Sequence, residues 1–249
     1  MLTEAELYQR GIATMIASWG AYARCASDAS VQRHPGVTTA VFRCEPERAF
    51  YNNAVLDRRL NAVERAQAVE HMHAAYAAAS VGRFAAWVHE ADTAMQRDLV
   101  RLGYTLDETV RAMGLSLDDI RLPQPELDLR PLEWPDYLRI FDLPPALLAN
   151  GSRECLQVVV AFLDDEPVTS ALTFDLGRDC GIYNVGTLDY ARRRGLATAL
   201  TTHVLHQART RGCTSASLQS TQMAERVYTA VGFQDFGRLL GYVPARGAE

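Results

Sequence analysis

Two stretches of this chain nearly repeat each other, and that repetition limits what it can fold into. Phe50-Tyr51-Asn52-Asn53-Ala54-Val55-Leu56-Asp57 resembles Ile182-Tyr183-Asn184-Val185-Gly186-Thr187-Leu188-Asp189, with Tyr, Asn, Leu and Asp in register 132 residues apart (Tyr51 to Tyr183). Each stretch leads into a helical pattern, a short strand, a second helix, and then glycine followed by an aromatic residue. Those closing pairs, Gly103-Tyr104 and Gly232-Phe233, lie 129 residues apart. Similar offsets and one order of elements point to a duplicated α/β unit.

Hydrophobic spacing fills in the elements. Residues 4–26 carry Leu7, Ile12, Met15, Ile16, Trp19 and Tyr22 at helical intervals, and residues 61–79 form an alanine-rich helix. Val37–Arg43, Phe50–Leu56, Arg83–His89 and Leu106–Leu115 read as strands, and residues 93–102 as a helix ended by Gly103. Leu122-Pro123-Gln124-Pro125-Glu126, followed by Pro131 and Pro135, breaks the pattern and places a domain boundary between 1–121 and 122–249. Beyond it lie an edge strand at Leu127–Leu132 and short helices near Tyr137–Phe141 and Pro145–Asn150. The pair Cys155–Leu163 and Val168–Leu176 flanks a turn at Asp164-Asp165-Glu166-Pro167, and Gly181–Thr187 is a further strand. A helix from Gly195 to about Arg211 shows Leu196, Leu200, Val204 and Ala208 on one face. A strand at Thr214–Leu218, a helix at Met223–Val231 and a strand at Phe233–Val243 close the chain.

Composition excludes several functions. A net charge of −5 weighs against sequence-independent nucleic-acid binding, which needs a broad basic face. No apolar run approaches the ~20 residues of a membrane span, and the acidic start lacks the basic and apolar regions of a secretory signal, so the expected location is the cytoplasm. All 25 Lys+Arg residues are arginine, which removes Schiff-base, P-loop-lysine and lysine-base chemistry. The five cysteines, Cys25, Cys44, Cys155, Cys180 and Cys213, form no C-x-x-C pair, so no disulfide framework or zinc knuckle is expected. His71 and His73, two apart on a helix, face different ways and make no metal pair. His203 falls beside the Leu200/Val204 face and reads as a packed or rim residue; His206 lies one turn on.

The local signal that carries chemistry is Arg192-Arg193-Arg194-Gly195-Leu196-Ala197, which follows a strand and opens a helix. First-turn N–H groups have no partners within the helix, and the helix dipole adds partial positive charge. Glycine lets a ligand approach the backbone. Three arginines at a helix N-terminus are badly placed for the dipole, and a bound anion such as pyrophosphate gives that placement a reason.

Arg192-x-x-Gly195-x-Ala197 resembles the R/Q-x-x-G-x-G/A loop of the GNAT superfamily of N-acetyltransferases. The text around it resembles that family's fourth strand, loop and third helix. Leu218-Gln219-Ser220-Thr221, Val227-Tyr228 and Gly232-Phe233 resemble its later elements. The resemblance covers roughly residues 127–243 and implies an α/β fold (α+β, mixed sheet) with two GNAT-like domains in tandem. Each would be a mostly antiparallel mixed sheet flanked by helices. It implies a cytoplasmic acyl-CoA-dependent N-acyltransferase that passes acetyl from acetyl-CoA to the primary amine of a small molecule, with no metal. Arg192, Arg193, Arg194, Gly195, Leu196, Ala197 and Thr198 would bind the CoA pyrophosphate, and Val185, Gly186 and Thr187 would pair with pantetheine. Thr221 would touch the cofactor, and Tyr228 would protonate the leaving thiolate. Asp175, Asp179 and Glu154 stand near strand ends as candidates for the base that deprotonates the amine.

The N-terminal half offers Asp57-Arg58-Arg59-Leu60-Asn61-Ala62 in place of the phosphate loop and Leu99 in place of Tyr228. It reads as a degenerate copy that packs against the active domain or walls the acceptor site. A non-catalytic acyl-CoA sensor or scaffold is the alternative reading. A nucleotide enzyme built on Gly195 lacks both G-x-G-x-x-G and G-x-x-x-x-G-K-[ST].

Overall fold

A computed structural model describes residues 2–143 and 156–245. Contacts divide them into two compact units that do not follow a single cut at 121/122. The C-unit comprises residues 2–18, 111–143 and 156–236, and the N-unit comprises residues 19–110 and 237–245.

In the N-unit, β1 (Ala29–His34), β2 (Val37–Phe42) and β3 (Asn53–Leu56) are antiparallel neighbours, and β3 runs parallel to β4 (Ala85–His89). The helices α2 (Ala62–Ala78) and α3 (Thr93–Arg101) cover this sheet's core, in which Val41, Leu56, Val69, Met72, Tyr76 and Leu99 are buried. Truncating Met72 there would cost about 2–5 kcal/mol. β1 is not visible in the sequence because its Ala-Ser-Val-Gln-Arg-His run lies at an edge with a largely solvated, polar surface.

The C-unit is built on the same plan. β7 (Gln157–Leu163), β8 (Glu166–Leu176) and β9 (Asp179–Thr187) are antiparallel neighbours, with the two-residue β6 (Asp128–Leu129) beside β7. β9 runs parallel to β10 (Ser215–Ser220). The helices α5 (Leu196–Thr210) and α6 (Glu225–Val231) share a core with the sheet through Leu115, Ile182, Leu200, Val204, Leu218, Tyr228 and Val231. The short α4 (Trp134–Ile140) brings Trp134 edge-on to Tyr137 and Tyr137 against the tilted ring of Phe141. The helix expected at Pro145–Asn150 lies outside the described residues.

The closing strands cross over between the sequence halves. β5 (Tyr104–Ser116) follows α3, yet its residues 111–116 pair antiparallel with β10 in the C-unit. β11 (Gln234–Pro244) follows α6, yet Leu239–Tyr242 pair with β4 in the N-unit. The first helix, α1 (Glu4–Cys25), also contributes its residues up to Ser18 to the C-unit. Repeated halves end in chemically similar strands. Local pattern therefore says that each is a strand, not which sheet it joins.

The four described cysteines, Cys25, Cys44, Cys180 and Cys213, are free, with Cys25, Cys180 and Cys213 buried and Cys44 half-buried; Cys155 lies outside the described residues. No described helix is long and apolar enough to cross a membrane.

Candidate active site

The chain leaves β9 at Thr187, makes one 310 turn over Asp189–Ala191, and enters α5 through the arginine run. Ala191 is buried and anchors the turn. Arg193 and Gly195 take left-handed backbone conformations, at φ +61° and +76°. Gly195 is the N-cap of α5 and supplies no side-chain cap, so the first-turn N–H groups are not consumed by the helix's own side chains. A Cβ built on Gly195 would meet nothing within 4 Å, so the space before the helix start is open. Alternating backbone signs of this kind turn successive N–H groups toward one point, which suits an anion.

The three arginines, read from sequence as one cluster, behave differently. Arg192 folds back: its Nε donates to the Thr187 carbonyl at 3.1 Å and its Nη2 lies 2.8 Å from the Asp189 carboxylate. It braces the turn. Arg193 and Arg194 are exposed, while Leu196, Ala197 and Thr198 of the first helical turn are half-buried.

β9 diverges from β10 just before this turn. Their parallel register covers Asp179, Cys180 and Gly181 against Ser215, Ala216 and Ser217, and stops there. β8 stays with β9 to the end, but the register slips between Leu172↔Tyr183 and Ser170↔Gly186. Asn184, at φ +49°, lies within that extra length of β9. An inserted residue bends and twists its strand. Val185, Gly186 and Thr187 therefore lie half-buried on a strand no longer laddered to β10. Thr169 holds this end in place: its hydroxyl donates to the Gly186 carbonyl at 2.8 Å and lies 2.9 Å from the Thr187 hydroxyl. Phe141 comes close to Gly186, where an added Cβ would lie 3.7 Å from its ring.

Tyr228 sits on α6, six per cent exposed, edge-on to Phe233 at 5.9 Å between ring centres. Burial pushes its phenol up to about 12, so it keeps its proton throughout the neutral range. Tyr228 shares one apolar cluster with Leu200 and Val204 of α5, and Val185 of the splayed strand packs against the same cluster. The body of α5, Val185 of the splayed strand and Tyr228 thus share one packed core. Thr221, just beyond β10, is exposed.

The carboxylates considered as bases have structural partners. Asp179 is buried at the paired start of β9 and accepts from Ser215 and Ser217, both at 2.7 Å. Asp175 is gripped by two prongs of Arg211, at 2.7 and 2.9 Å. Burial, the largest single influence, raises the Asp175 carboxyl, and the hydrogen bonds and charge of Arg211 together with hydrogen bonds from Cys180 and Cys213 hold it below the usual range. Glu154 lies outside the described residues. His203 is lowered by burial, with His206 adding to the effect, and its Nδ1 is buried without a partner. In the N-unit, His71 stacks on His34, and His73 lies 2.6 Å from the Tyr104 hydroxyl. No cluster of three or more His, Cys, Asp or Glu suited to a metal ion occurs among the described residues.

Two features escape a reading of the sequence. Asn61 and Glu64, in the N-terminal counterpart of the loop, form a reciprocal capping box, and the N-x-x-E spacing before an apolar run is the signal that could have found it. Arg111 of β5 pairs with Glu225 and Asp235 around α6, a contact over more than a hundred residues that no local pattern announces.

Residues 122–233 match the Acetyltransferase (GNAT) family. No curated protein matches the chain. A GCN5-related N-acetyltransferase from Kribbella flavida is similar in structure, with a TM-score of 0.71 at 18% identity, covering 95% of this chain and 97% of that one. A tandem GNAT protein from the clavulanic acid biosynthesis pathway gives 0.59 at 12% identity over 97% and 96% of the two chains. A GCN5-related N-acetyltransferase from Sphaerobacter thermophilus gives 0.61 at 17% identity over 84% and 76%.

Proposed function

We propose that this chain, whose residues 122–233 match the Acetyltransferase (GNAT) family and which shares the fold of a tandem GNAT protein over 97% of its length, is an N-acetyltransferase that moves acetyl from acetyl-CoA to a small-molecule primary amine. The observation that carries this reading is the uncapped start of α5 beside a strand that has left its neighbour. Together they offer N–H donors for a pyrophosphate and a free backbone edge for an extended amide chain. The N–H groups from Arg193 to Thr198 hold the pyrophosphate, with the Arg193 and Arg194 side chains adding charge at the entrance; the Arg192 N–H is spent on the Asp189 carbonyl, so Arg192 serves the loop by bracing it. Val185, Gly186 and Thr187 orient the pantetheine arm, and Thr221 flanks it. The thioester supplies an activated acyl carbon. The ammonium acceptor first gives one proton to solvent; the neutral amine then forms the new C–N bond as the C–S bond breaks, negative charge moves onto sulfur, and the proton shed by the new amide nitrogen passes through solvent to the thiolate.

Tyr228 supplies the hydrogen bond that this charge requires. A phenol near 12 is a weaker acid than a thiol, so its contribution is donation to the developing thiolate. Asp175 and Asp179 are engaged with Arg211 and with Ser215 and Ser217, so they play no part in this scheme as bases. The acidic balance of the chain favours a cationic amine as the acceptor.

The test is thiol release from acetyl-CoA across a panel of amines, with binding measured by calorimetry. Turnover with one amine class is the expected result. Binding without turnover on any acceptor would support the sensor or scaffold reading instead, and absence of acetyl-CoA binding would overturn both.

A further inference from the structure

α6 carries Tyr228 but has few means of holding itself in place. It has seven residues, fewer than an isolated helix needs, and its N-cap, Ala224, makes no side-chain cap. Its C-terminal end is fixed through Gly232, with the Phe233 N–H donating to the Tyr228 carbonyl at 3.1 Å. Its N-terminal end is fixed by charge. Arg111 sits on β5 opposite Ser220, the last residue of β10. Its Nε lies 2.8 Å from the carboxylate of Glu225, the first residue of α6, and its Nη1 pairs with Asp235 of β11. Glu225 and Tyr228 are three apart, on one face of the helix.

The arginine is rooted in the sheet and reaches two elements at once. A partly exposed pair contributes little to stability, because solvent screens it and both side chains lose freedom. What the guanidinium supplies here is a charge held between two carboxylates on different elements, one of them the first residue of α6, which limits where that helix can sit. We propose that Arg111 is a positioning residue: through Glu225 it sets the seat of α6 and hence the position of the Tyr228 hydroxyl relative to the reacting sulfur. This rests on the reading of Tyr228 as the hydrogen-bond donor of the reaction.

The experiment is a double-mutant cycle on the full chain, with Arg111→Gln, Tyr228→Phe and the pair, measuring kcat, the KM for acetyl-CoA and the melting temperature. Arg111→Gln is expected to lower kcat by about 10- to 100-fold through misplacement of the phenol, with KM changed less than about twofold. In the Tyr228→Phe background the same change should cost less than about twofold, because there is no hydroxyl left to misplace. Arg111→Lys, which keeps the charge and loses the fork, should recover part of the rate.

An equal loss in both backgrounds, or a wild-type kcat in Arg111→Gln, overturns the proposal. A wild-type kcat in Tyr228→Phe alone overturns the donor reading and this proposal with it, and that leg of the cycle shows it directly. If Arg111→Gln does not fold, Glu225→Gln leaves the Arg111–Asp235 pair intact and closes the same cycle.

Discussion

The helices α2 and α5 begin at equivalent places in the two halves, each entered through an arginine with a left-handed backbone, Arg59 in one and Arg193 in the other. Their caps differ. In α2 the Asn61 side chain accepts from the N–H groups of Val63 and Glu64, at 2.9 and 3.1 Å, and the Glu64 carboxylate accepts from the Asn61 N–H at 2.8 Å. The helix start is satisfied by its own residues, and a carboxylate already occupies the place an anion would take. In α5 the cap is Gly195, and nothing of the helix's own fills that place. The strands differ in the same sense. β3 is four residues long and parallel-paired with β4 over Asn53, Ala54 and Val55, whereas β9 is nine residues long and paired with β10 over three. One half has closed the features that the other leaves open. On the proposed reading, a cap, a shorter strand and a leucine are enough to remove a ligand site from one copy of the fold.

The largest effect expected from breaking this comparison is on chemistry. Leu99, in the position matching Tyr228, is wholly buried in the N-unit core and has no proton to give. Tyr228→Phe makes the C-unit resemble it while keeping the ring and its contact with Phe233. Acetyl-CoA affinity should hardly change, and kcat should fall about 10²–10⁴-fold. With the phenol held near 12, wild-type kcat should show no loss from its ionisation up to about pH 10. Steady-state kinetics on the folded variant, with a pH profile of the wild type, checks both. An unchanged kcat would leave Tyr228 a packing residue like Leu99.

Next in size is closure of the phosphate turn. Gly195→Glu brings a carboxylate to the start of α5, as Glu64 brings one to the start of α2 from its own position three residues after the cap, and it forces a side chain onto a φ of +76°. Repulsion of the pyrophosphate should weaken acetyl-CoA binding by about 100-fold or more. Gly195→Ala meets open space and carries only the left-handed strain, about 1–2 kcal/mol of stability. Calorimetry distinguishes the two variants. The wild-type titration should give one acetyl-CoA per chain, since the N-unit start is already capped.

Much of this contrast is legible in the sequence. The expected span Gly195–Arg211 differs from α5 by one residue at each end, because leucine and valine at i+4 spacing and flanking glycines mark it locally. The missing glycine between Tyr51 and Ser80 and the leucine at 99 already set the two halves apart in the sequence. The crossover of β5 and β11 is not legible, since pairing partners lie a hundred residues away and both strands read alike. Nor is the splay of β9. It depends on a slip beside Asn184, whose tolerance for left-handed backbone is a property shared with many asparagines that use no such freedom. The divided labour of the three arginines likewise depends on where Asp189 and the Thr187 carbonyl fall in space.

A smaller effect is confined to the N-unit. Asn61→Ala removes both hydrogen bonds accepted by its side chain and should cost about 1 kcal/mol, a fall in melting temperature of about 2–4 °C. Acetyl-CoA affinity and kcat should remain those of the wild type, because the affected helix start binds no cofactor. A large loss of affinity in this variant would place the cofactor against α2 and reverse the assignment of the two halves.

The smallest expected effect separates the cap from the strand. Asn61→Gly opens the start of α2 as Gly195 opens α5, at a stability cost of only a few tenths of a kcal/mol. If an uncapped helix start sufficed for binding, this variant would take up a second acetyl-CoA. It should not, because β3 keeps Asn53, Ala54 and Val55 laddered to Ala85, Ala86 and Trp87 and leaves no backbone edge of the kind β9 has beyond Gly181. The Trp87 Nε1–H donation to Asn53 at 2.7 Å ties the strands together once more at that register. Titration should therefore still give one site per chain, with an unchanged affinity. A stoichiometry of two would show that the cap alone silences the N-unit, and the weight placed on the splayed strand would have to move to the helix start.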